Sequence, residues 1–453
     1  MTNSYEAIVI GAGPAGEHCA GKLAAGGLKT AIVERELVGG ECGFWACIPS
    51  KTLLRSGEAL AGARSAPGAR EAVTGNLDVA SALEWRNFQT SDWDDAGQVA
   101  WLDSEGINLV RGSARIDGTG KVVVGERMLE TERIVLATGS DPFIPPIEGI
   151  DSVAYWTNRE ATGVKELPER LVVLGGGPVG VELTQAFARF GVSVALVEGS
   201  DRILAREGRA ASEAIGSVLE ADGVELHLGQ HAESVSAHGK GVALALSNGD
   251  ELHADELLVA TGRRPRVGGL GLETIGVDPE PGGVEVDERM RVAEGVWAIG
   301  DVNGISLFTH VGKYQGRVAA ADMLGRDARA DYRAIPRVIF CDPQVASVGL
   351  TEDDAGEQGI EVGTGTVELA GVARTSTYTR DYAEQPGLLG LVADRGRGVL
   401  VGAYAVGPEA GEWLGQATLA IRAEVPLDVL RDTIQPFPTF SEAFVDALAD
   451  LDA

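Results

Sequence analysis

The sequence predicts an α/β fold made of two parallel-sheet, three-layer domains, one inserted in the other, followed by an α+β domain. A strand, a glycine-rich turn and a helix follow one another near residue 10, and the same order returns near residue 175. From about Ile335 the pattern changes to β-rich segments followed by two amphipathic helices, with no glycine-rich turn. Two similar halves and a different C-terminal part therefore define the expected architecture.

The first half contains the elements of a dinucleotide-binding unit in the expected order. They are a strand at Tyr5–Ile10, the turn glycines Gly11, Gly13 and Gly16, a helix to about Ala25, and a strand at Thr30–Val33 that leads to Glu34. Such glycines let the backbone approach a pyrophosphate at a helix N-terminus, and an acid about 20 positions on accepts a hydrogen bond from a ribose hydroxyl. The combination predicts a Rossmann-like nucleotide site.

The second half repeats this arrangement. Its elements are a strand at Leu171–Leu174, the turn glycines Gly175, Gly177 and Gly180, a helix at Val181–Phe190, and a strand at Ser193–Val197 that leads to Glu198. Two such units imply either two bound dinucleotides or one dinucleotide and a vestigial site, and we favour two.

Matching strand ends suggest how the two halves are connected. Gly139 and Gly262 each close an Ala-Thr-Gly sequence at the end of an apolar run. We therefore expect a split first domain of residues 1–150 and 266–334, and an inserted domain of residues 151–265. Residues 335–453 are expected to form a dimerisation domain.

Two of only four cysteines, Cys42 and Cys47, lie five positions apart after the first nucleotide motif. A disulfide bridges Cα atoms up to roughly 7 Å apart, which a five-residue step along a straight helix exceeds, so pairing requires a bend. Three nearby glycines allow it, namely Gly39, Gly40 and Gly43. Pro49 suits the first turn of a helix, whose positive end would favour a thiolate at Cys47. The alternatives are a redox dithiol, which we favour, and two unrelated buried cysteines.

Composition argues against several functions. The 453 residues are 44% hydrophobic and 23% charged, as in ordinary globular proteins, and the formal net charge is −29. This charge opposes binding to nucleic acid or an anionic membrane through a basic surface. No apolar run could span a bilayer, and the early first strand leaves no room for a signal peptide. We expect a cytoplasmic protein without nucleic-acid or membrane partners, and no metal site is predicted.

The order of these motifs carries a family resemblance. A glycine motif is followed by Gly-Gly-x-Cys-x4-Cys-Ile-Pro-Ser-Lys, Ala-Thr-Gly, a second glycine motif, Ala-Thr-Gly-Arg-Arg-Pro, Gly-Asp and the C-terminal domain. Over nearly its whole length the chain resembles the flavin-dependent pyridine nucleotide-disulfide oxidoreductases. Within that family it is most similar to members like dihydrolipoamide dehydrogenase and mercuric reductase.

The resemblance implies two cofactors, FAD and NAD(P)H. It assigns Gly11, Gly13, Gly16, Glu34 and Asp301 to FAD, Gly175, Gly177, Gly180 and Glu198 to the nicotinamide nucleotide, and Gly139, Gly262 and Lys51 to the cofactor sites more generally. A carboxylate at Glu198 accepts from a free 2′-hydroxyl and repels a 2′-phosphate, which favours NADH. Arg202 and Arg206 follow closely and could meet a phosphate, so NADPH is the alternative.

The resemblance also implies an electron path. Hydride passes from the nicotinamide to the flavin, and electrons continue to a Cys42–Cys47 disulfide, with Cys47 against the flavin and Cys42 facing the substrate. Lys51 and Glu182 are expected to pair beside the flavin, where the Lys51 charge favours reduced flavin and thiolate.

The C-terminal segment departs from the family pattern. In disulfide reductases of the family, the partner subunit supplies a His-Pro-Thr histidine that carries protons and is oriented by a glutamate. Here Phe437 takes the histidine position, whereas Glu442 keeps the orienting position. Phe cannot transfer a proton, a task that contributes about 10²- to 10⁴-fold to rate. Either Glu442 acts alone, or the acceptor needs no acid there.

Three functions are compatible with these residues. The first is a homodimeric, dihydrolipoamide dehydrogenase-like enzyme that passes electrons from NAD(P)H to a small-molecule acceptor. The second is an NAD(P)H-dependent reductase of a non-disulfide acceptor, such as a quinone, a metal ion or an electrophile. The third is a flavin-binding protein without native disulfide turnover.

Overall fold

The computed structural model describes residues 3–279, 281–379 and 386–451, and confirms the mixed α/β fold. Its chain divides into two compact units. The first comprises the chain through Pro49, Glu84–Phe143 and Gly262–Asp331, and the second comprises Ser50–Leu83, Ile144–Thr261 and the chain from Tyr332. The second unit thus contains both the expected inserted domain and the expected C-terminal domain. The three-domain division stays a prediction.

The first unit is built on a six-stranded sheet. In spatial order its strands are Arg291–Ala293, Val296–Ala298, Ile134–Leu136, Ala7–Ile10, Thr30–Glu34 and Asn108–Arg111. All neighbours are parallel except the first pair. The central strand Ala7–Ile10 is fully buried, as its unbroken apolar sequence predicts for a parallel sheet covered on both faces.

Two long helices of this unit pack closely together. They are Pro14–Ala25, which follows the first glycine turn, and Thr309–Met323. A Cβ added to Gly312 would lie 3.0 Å from the Ala15 Cβ, so small residues set the close approach of the two helices.

Shorter elements complete the first unit. Its remaining strands are Ala114–Ile116, Lys121–Val124, Arg127–Glu130, Ser140–Pro142 and Arg263–Pro265, and its other helices are Gly40–Phe44 and Ala96–Ser104. Two further helices, Cys47–Ser65 and Val79–Gln89, continue across the boundary between the units. After Arg55 the chain is thus mainly helical as far as Ser104, and after Gly106 it forms short strands.

The nucleotide-type half of the second unit has a four-stranded parallel sheet. Its strands are, in spatial order, Glu225–Leu228, Ser193–Glu198, Arg170–Leu174 and Glu256–Val259. The accompanying helices are Asn158–Thr162, Pro178–Arg189 and Arg209–Ala221, and an antiparallel sheet is formed by Ala232–His238, Gly241–Leu246 and Glu251–Ala254. The strand-turn-helix-strand order predicted from the sequence is present.

The C-terminal part has a five-stranded antiparallel sheet. Its strands are, in spatial order, Pro336–Ile339, Gln344–Gly349, Val399–Gly407, Leu388–Asp394 and Val362–Glu368. Its helices are Glu352–Glu357, Ala410–Trp413, Gly415–Arg422, Leu427–Arg431 and Ala443–Asp450. The first of the two amphipathic helices predicted in this part is thus divided into two shorter ones, Ala410–Trp413 and Gly415–Arg422, and the edge strand Val362–Glu368 was not predicted.

Short 3₁₀ turns connect several of these elements. They lie at Arg70–Ala72, Ser91–Trp93, Ile150–Ser152, Leu272–Ile275, Gly300–Asn303, Leu369–Gly371, Thr375–Thr377 and Phe440–Glu442. The turn at Gly300–Asn303 places Asp301 just beyond the buried strand Val296–Ala298, as the sequence predicted.

Candidate active site

The cysteine segment is bent in the way that the sequence requires. Gly39 and Gly40 have φ angles of 112° and 58°, a region that glycine enters without strain. A short helix, Gly40–Phe44, ends before the long helix that begins at Cys47. Gly40 and Gly43 both lie inside the short helix, and the break between the two cysteines falls at Trp45 and Ala46.

The bend brings Cys42 and Cys47 within hydrogen-bond reach of each other. Both are thiols, and the Cys47 sulfur lies 3.4 Å from the Thr309 hydroxyl oxygen. The Cys47 hydrogen bond, followed by burial, raises the pKa of Cys42, while Thr309 and the positive charge of Lys313 oppose this shift. Cys42 therefore keeps its proton next to Cys47 in the reduced pair.

The other two cysteines are isolated from this pair. Cys19 and Cys341 are buried free thiols. Burial raises the pKa of Cys19 to about 12 and raises that of Cys341 as well, so neither forms a thiolate readily. Both match the packing role expected of buried cysteines.

Lys51 and Glu182 form the predicted pair. The Lys51 Nζ lies 2.7 Å from a Glu182 carboxylate oxygen, although the residues are 131 positions apart. Glu182 is buried, and its other oxygen accepts a hydrogen bond from the backbone N–H of Phe340 at 2.9 Å. The Lys51 ammonium also lies 4.8 Å from the centre of the Phe340 ring. Lys51 is one turn after Cys47 in the helix Cys47–Ser65.

The first glycine turn has the geometry that a dinucleotide needs. A Cβ added to Gly11, where φ is +105°, would lie 2.3 Å from the Ala137 carbonyl oxygen, and one added to Gly16 would lie 1.9 Å from the Gly11 oxygen. Around Gly13, in contrast, no described atom comes within 4 Å of an added Cβ. The tight turn and the open space beside the helix N-terminus fit the pyrophosphate of FAD.

The acids expected at FAD lie at the ends of their strands. Glu34 accepts hydrogen bonds from the backbone N–H groups of Ala12 and Glu36, both at 2.8 Å, which hold its carboxylate beside the glycine turn. Asp301 accepts one from the Ser140 hydroxyl at 2.6 Å. Burial raises the pKa of Asp301, although the Ser140 hydrogen bond and the charge of Arg263 oppose it.

The second glycine turn repeats the first. A Cβ added to Gly175, at φ +109°, would lie 2.6 Å from the Ala260 oxygen, and one added to Gly180 would lie 1.8 Å from the Gly175 oxygen. Gly177 again faces open space among the described residues. Glu198 accepts from the backbone N–H groups of Gly176 and Ser200, both at 2.7 Å. This site therefore also fits a dinucleotide.

The two Ala-Thr-Gly glycines occupy turns of positive φ. Gly139 has φ +74° and Gly262 has φ +122°, and an added Cβ at either would meet no described atom within 4 Å. Both turns leave the backbone accessible at the end of a strand, as a cofactor contact would require.

Phe437 and Glu442 lie in the C-terminal part of the second unit and differ in their surroundings. The Phe437 side chain is 73% exposed. Glu442 ends the turn Phe440–Glu442, and its Oε2 is buried without a hydrogen-bond partner among the described residues. Phe440, in the same turn, packs in the core beside Tyr378 and Trp413.

Several contacts of this site were not predicted. No sequence motif marks three of the residues involved. They are Thr309, which contacts Cys47, Phe340, which contacts the Lys51–Glu182 pair, and Glu41, whose carboxylate lies 3.8 Å from Arg263. The neighbouring His310 is exposed and stacks on Phe308, with the ring centres 5.3 Å apart. Of these contacts, only that of Thr309 with Cys47 had a signal in the sequence, namely the position of Thr309 at the start of a helix after the Gly-Asp motif.

The described residues contain neither a membrane-spanning helix nor a metal-binding cluster. No helix among them is long and apolar enough to cross a bilayer. They also contain no group of three or more His, Cys, Asp or Glu side chains placed to hold a metal ion.

Sequence comparisons find close relatives along nearly the whole chain. A dihydrolipoyl dehydrogenase of Halobacterium salinarum is 33% identical, covering 99% of this chain and 96% of the relative. A mercuric reductase of Acidithiobacillus ferrooxidans is 36% identical, covering 96% of this chain and 80% of the relative. Both kinds of relative agree with the resemblance drawn from the motifs.

Solved structures and family matches agree with these relatives. The HOCl-induced flavoprotein disulfide reductase RclA from Escherichia coli, in a Cu(II) complex, is 29% identical with a TM-score of 0.87, covering 99% of each chain. LpdA from Mycobacterium tuberculosis is 26% identical with a TM-score of 0.87, covering 99% of this chain and all of the other. Residues 5–322 match pyridine nucleotide-disulphide oxidoreductase, and residues 335–448 match the dimerisation domain of the same family. The chain therefore belongs to the pyridine nucleotide-disulphide oxidoreductase family, whose members bind FAD and use NAD(P)H.

Proposed function

We propose that this flavoprotein passes electrons from NAD(P)H to the Cys42–Cys47 pair and from there to a thiophilic metal ion. The observation that carries the proposal is the hydrogen-bonded dithiol together with Phe437 at the position where a proton-carrying histidine is expected. When bound, FAD supplies the two-electron transfer between the nicotinamide and the sulfur pair. Lys51 would place a positive charge one helical turn from Cys47.

The state of Cys42 supports an acceptor that is not a disulfide. Its pKa is raised, so it needs a base before it can attack a disulfide, and Phe437 of the partner subunit offers none. A metal ion displaces thiol protons as it binds, without an external base. With both thiol protons already displaced, the pair then forms its disulfide and gives two electrons to one divalent ion or one electron to each of two. The names of two relatives, a mercuric reductase and RclA with Cu(II), fit this class of acceptor.

A second candidate, reduction of a disulfide such as lipoamide, is favoured by Glu442. Its Oε2 is buried without a partner in the described chain, so it is available to a proton. In this case Glu442 would carry the proton that the missing histidine carries elsewhere in the family.

A steady-state comparison separates these two acceptors. FAD-loaded protein would be supplied with NADH and Cu(II), Hg(II), a naphthoquinone or lipoamide. We expect Cys42→Ser to abolish metal reduction while quinone reduction, which can bypass the sulfurs, persists. Phe437→His should raise lipoamide turnover at least about tenfold without raising metal turnover. Fast lipoamide turnover that Phe437→His leaves unchanged and Glu442→Gln lowers about tenfold would instead establish the second candidate.

We further propose that NADH is the preferred nucleotide. Glu198 is held beside the second glycine turn, and the Arg202 guanidinium donates to the Ala205 carbonyl at 2.9 Å, so it is already engaged. The ratio of kcat/KM for NADH and NADPH tests this. Glu198→Ala should reduce the preference for NADH about tenfold, and a wild-type preference for NADPH would contradict it.

We also propose a cytoplasmic homodimer. The family's dimerisation domain spans residues 335–448, and several of its large apolar side chains are strongly exposed in the single chain. They are Leu419, Val429, Ile434 and Phe437. Burying them against a second copy would remove this apolar surface from water. Sedimentation should give twice the 47.2 kDa chain mass.

A further inference from the structure

A cavity of about 370 Å³ lies where the helices Pro14–Ala25 and Thr309–Met323 end. Its volume falls within the roughly 300–1,000 Å³ of small-molecule sites. Three cationic side chains, Lys22, Arg317 and Arg326, line it together with apolar atoms of Ala25 and Leu324. It lies at the opposite ends of these helices from the first glycine turn and from Thr309.

The cations of this cavity are unusual in so acidic a protein. The chain has 67 acidic and 38 basic residues, yet no ion pair to Lys22, Arg317 or Arg326 occurs within the described ranges. The acids nearest to the two arginines in sequence, Asp322 and Asp327, are bound to other arginines. Arg317 lies over the Tyr314 ring at 5.4 Å, but no acid among the described residues balances the charge of either arginine. A local positive charge is therefore left uncompensated.

Helix ends account for only part of this charge. The C-terminus of a helix carries about half a negative charge, so the two helices that end here balance about one of the three cations. A third cation, Arg326, lies beyond both of them. His18, one turn before Lys22, senses the same field: after burial, the charges of Lys22 and Arg317 lower its pKa, and its buried Nε2 has no partner in the described chain.

Gly26 keeps the cavity open. Its φ and ψ of −78° and 0° are accessible to any residue, so the backbone does not require glycine. An added Cβ would lie 2.6 Å from a methyl carbon of Leu324, and a longer side chain would extend over the cavity floor. The missing side chain thus leaves apolar floor space beneath the three cations.

We propose that this cavity binds a small phosphomonoester, with its phosphate at Lys22, Arg317 and Arg326 and its apolar body over Gly26 and Leu324. A phosphate carries nearly two negative charges at neutral pH and accepts charge-assisted hydrogen bonds from arginine, so it suits three cations that have no acidic partner. The apolar surface at Gly26 and Leu324 favours a phosphate ester with an apolar group over the free phosphate ion. This site is independent of the acceptor proposed for Cys42 and Cys47.

Calorimetric titration of the FAD-loaded protein, with NAD⁺ in excess to fill the nucleotide site, tests the proposal. The probes are phenyl phosphate, inorganic phosphate and phenol. We expect one phenyl phosphate per chain, weaker binding of inorganic phosphate, and no binding of phenol. Arg317→Gln and Arg326→Gln should each weaken the binding of phenyl phosphate at least about tenfold. Lys121→Gln, which removes an exposed cation elsewhere in the first unit, should have no effect.

The floor is tested by Gly26→Leu, which fills it and keeps all three cations. In this variant the affinity for phenyl phosphate should fall more than the affinity for inorganic phosphate. Unchanged phenyl phosphate affinity in both arginine variants, or equal binding of phenol, would overturn the proposal. The arginines are exposed, so these variants should fold normally.

Discussion

The two nucleotide regions share one backbone framework but differ just after the third glycine. In both turns a Cβ added to the third glycine would come within 2 Å of the carbonyl oxygen of the first glycine. In both, a glutamate at the end of the next strand accepts hydrogen bonds from two backbone N–H groups. The next two residues are Glu17 and His18 in the first helix and Val181 and Glu182 in the second. The turn is thus fixed by backbone contacts, whereas these two positions are free to take different tasks.

Those tasks follow from the surroundings of each pair. Val181 is core, and Glu182 is the buried partner of Lys51. Glu17, in contrast, has its pKa raised to about 7 by burial, with the charge of Lys313 opposing the shift and Glu34 adding to it. His18 has a buried Nε2 without a partner in the described residues. The same motif therefore carries an ion pair in one half and unpaired polar groups in the other.

The largest expected effect comes from breaking either turn. Gly16→Ala and Gly180→Ala each force a Cβ against a carbonyl oxygen, and we expect either to cost about 3 kcal/mol or more of unfolding free energy. Gly16→Ala should also lose FAD, whereas Gly180→Ala should keep FAD and lose NADH binding. Flavin absorbance and NADH titration distinguish the two.

Matched controls are available at the second glycines. Gly13→Ala and Gly177→Ala meet no described atom within 4 Å, so their thermal midpoints should stay near that of the wild type. Loss of FAD from both Gly16→Ala and Gly180→Ala would show that the two turns do not serve separate nucleotides.

The next effect concerns the ion pair that only the second helix carries. Glu182→Gln leaves Lys51 without its carboxylate and should lower the free energy of unfolding by about 2 kcal/mol, less than for a fully buried pair because Lys51 is partly exposed. Urea unfolding of Glu182→Gln, Lys51→Met and the double variant should give a clear coupling energy.

The exposed pair Arg55–Glu58 on the Lys51 helix serves as its control. Glu58→Gln should change the unfolding free energy by no more than about 0.5 kcal/mol. An equal effect of the two glutamate substitutions would contradict the special role of Glu182.

The smallest effect is a pH dependence confined to the first helix. The pKa of Glu17 is about 7 in the fold against an ordinary 4.5, so between these values the unfolded chain releases a proton that the folded chain retains. Stability is therefore lost as pH rises from 4.5 to 7. Glu17→Gln should remove up to about 2 kcal/mol of this loss, a value reduced by the partial exposure of Glu17.

Urea unfolding at pH 4.5 and pH 8 measures this difference. Wild type and Glu17→Gln should be alike at the lower pH, and the variant should be more stable at the higher one. If Glu17→Gln raised the free energy of unfolding equally at pH 4.5 and pH 8, titration of Glu17 would be excluded as the cause.

The sequence predicts the parts of this molecule that depend on local backbone rules. The glycine turns, their helices and their acids follow from residues within about 25 positions of one another. The strand Val362–Glu368 was missed because Gly363 and Gly365 weaken its pattern. Gly365 is needed for packing, since an added Cβ would lie 2.1 Å from the Ala447 oxygen.

The candidate site is less predictable because its contacts join distant residues. Cys47 and Thr309 are 262 positions apart, and threonine has no spacing that marks such a contact. The Lys51–Glu182 pair was expected only through the family resemblance. The raised pKa values of Glu17 and Cys42 come from burial and hydrogen bonding, which require the folded structure.

Counting thiols before and after reduction tests the central claim, that Cys42 and Cys47 are the redox pair fed by NAD(P)H. Air-oxidised, FAD-loaded protein would be mixed anaerobically with or without NADH, quenched in acid, denatured and alkylated, and the labelled cysteines identified by mass spectrometry. Cys19 and Cys341, free buried thiols, serve as internal controls. We expect labels only on these two before NADH and on all four cysteines afterwards. Four labels before NADH, or only two after it, would contradict the account.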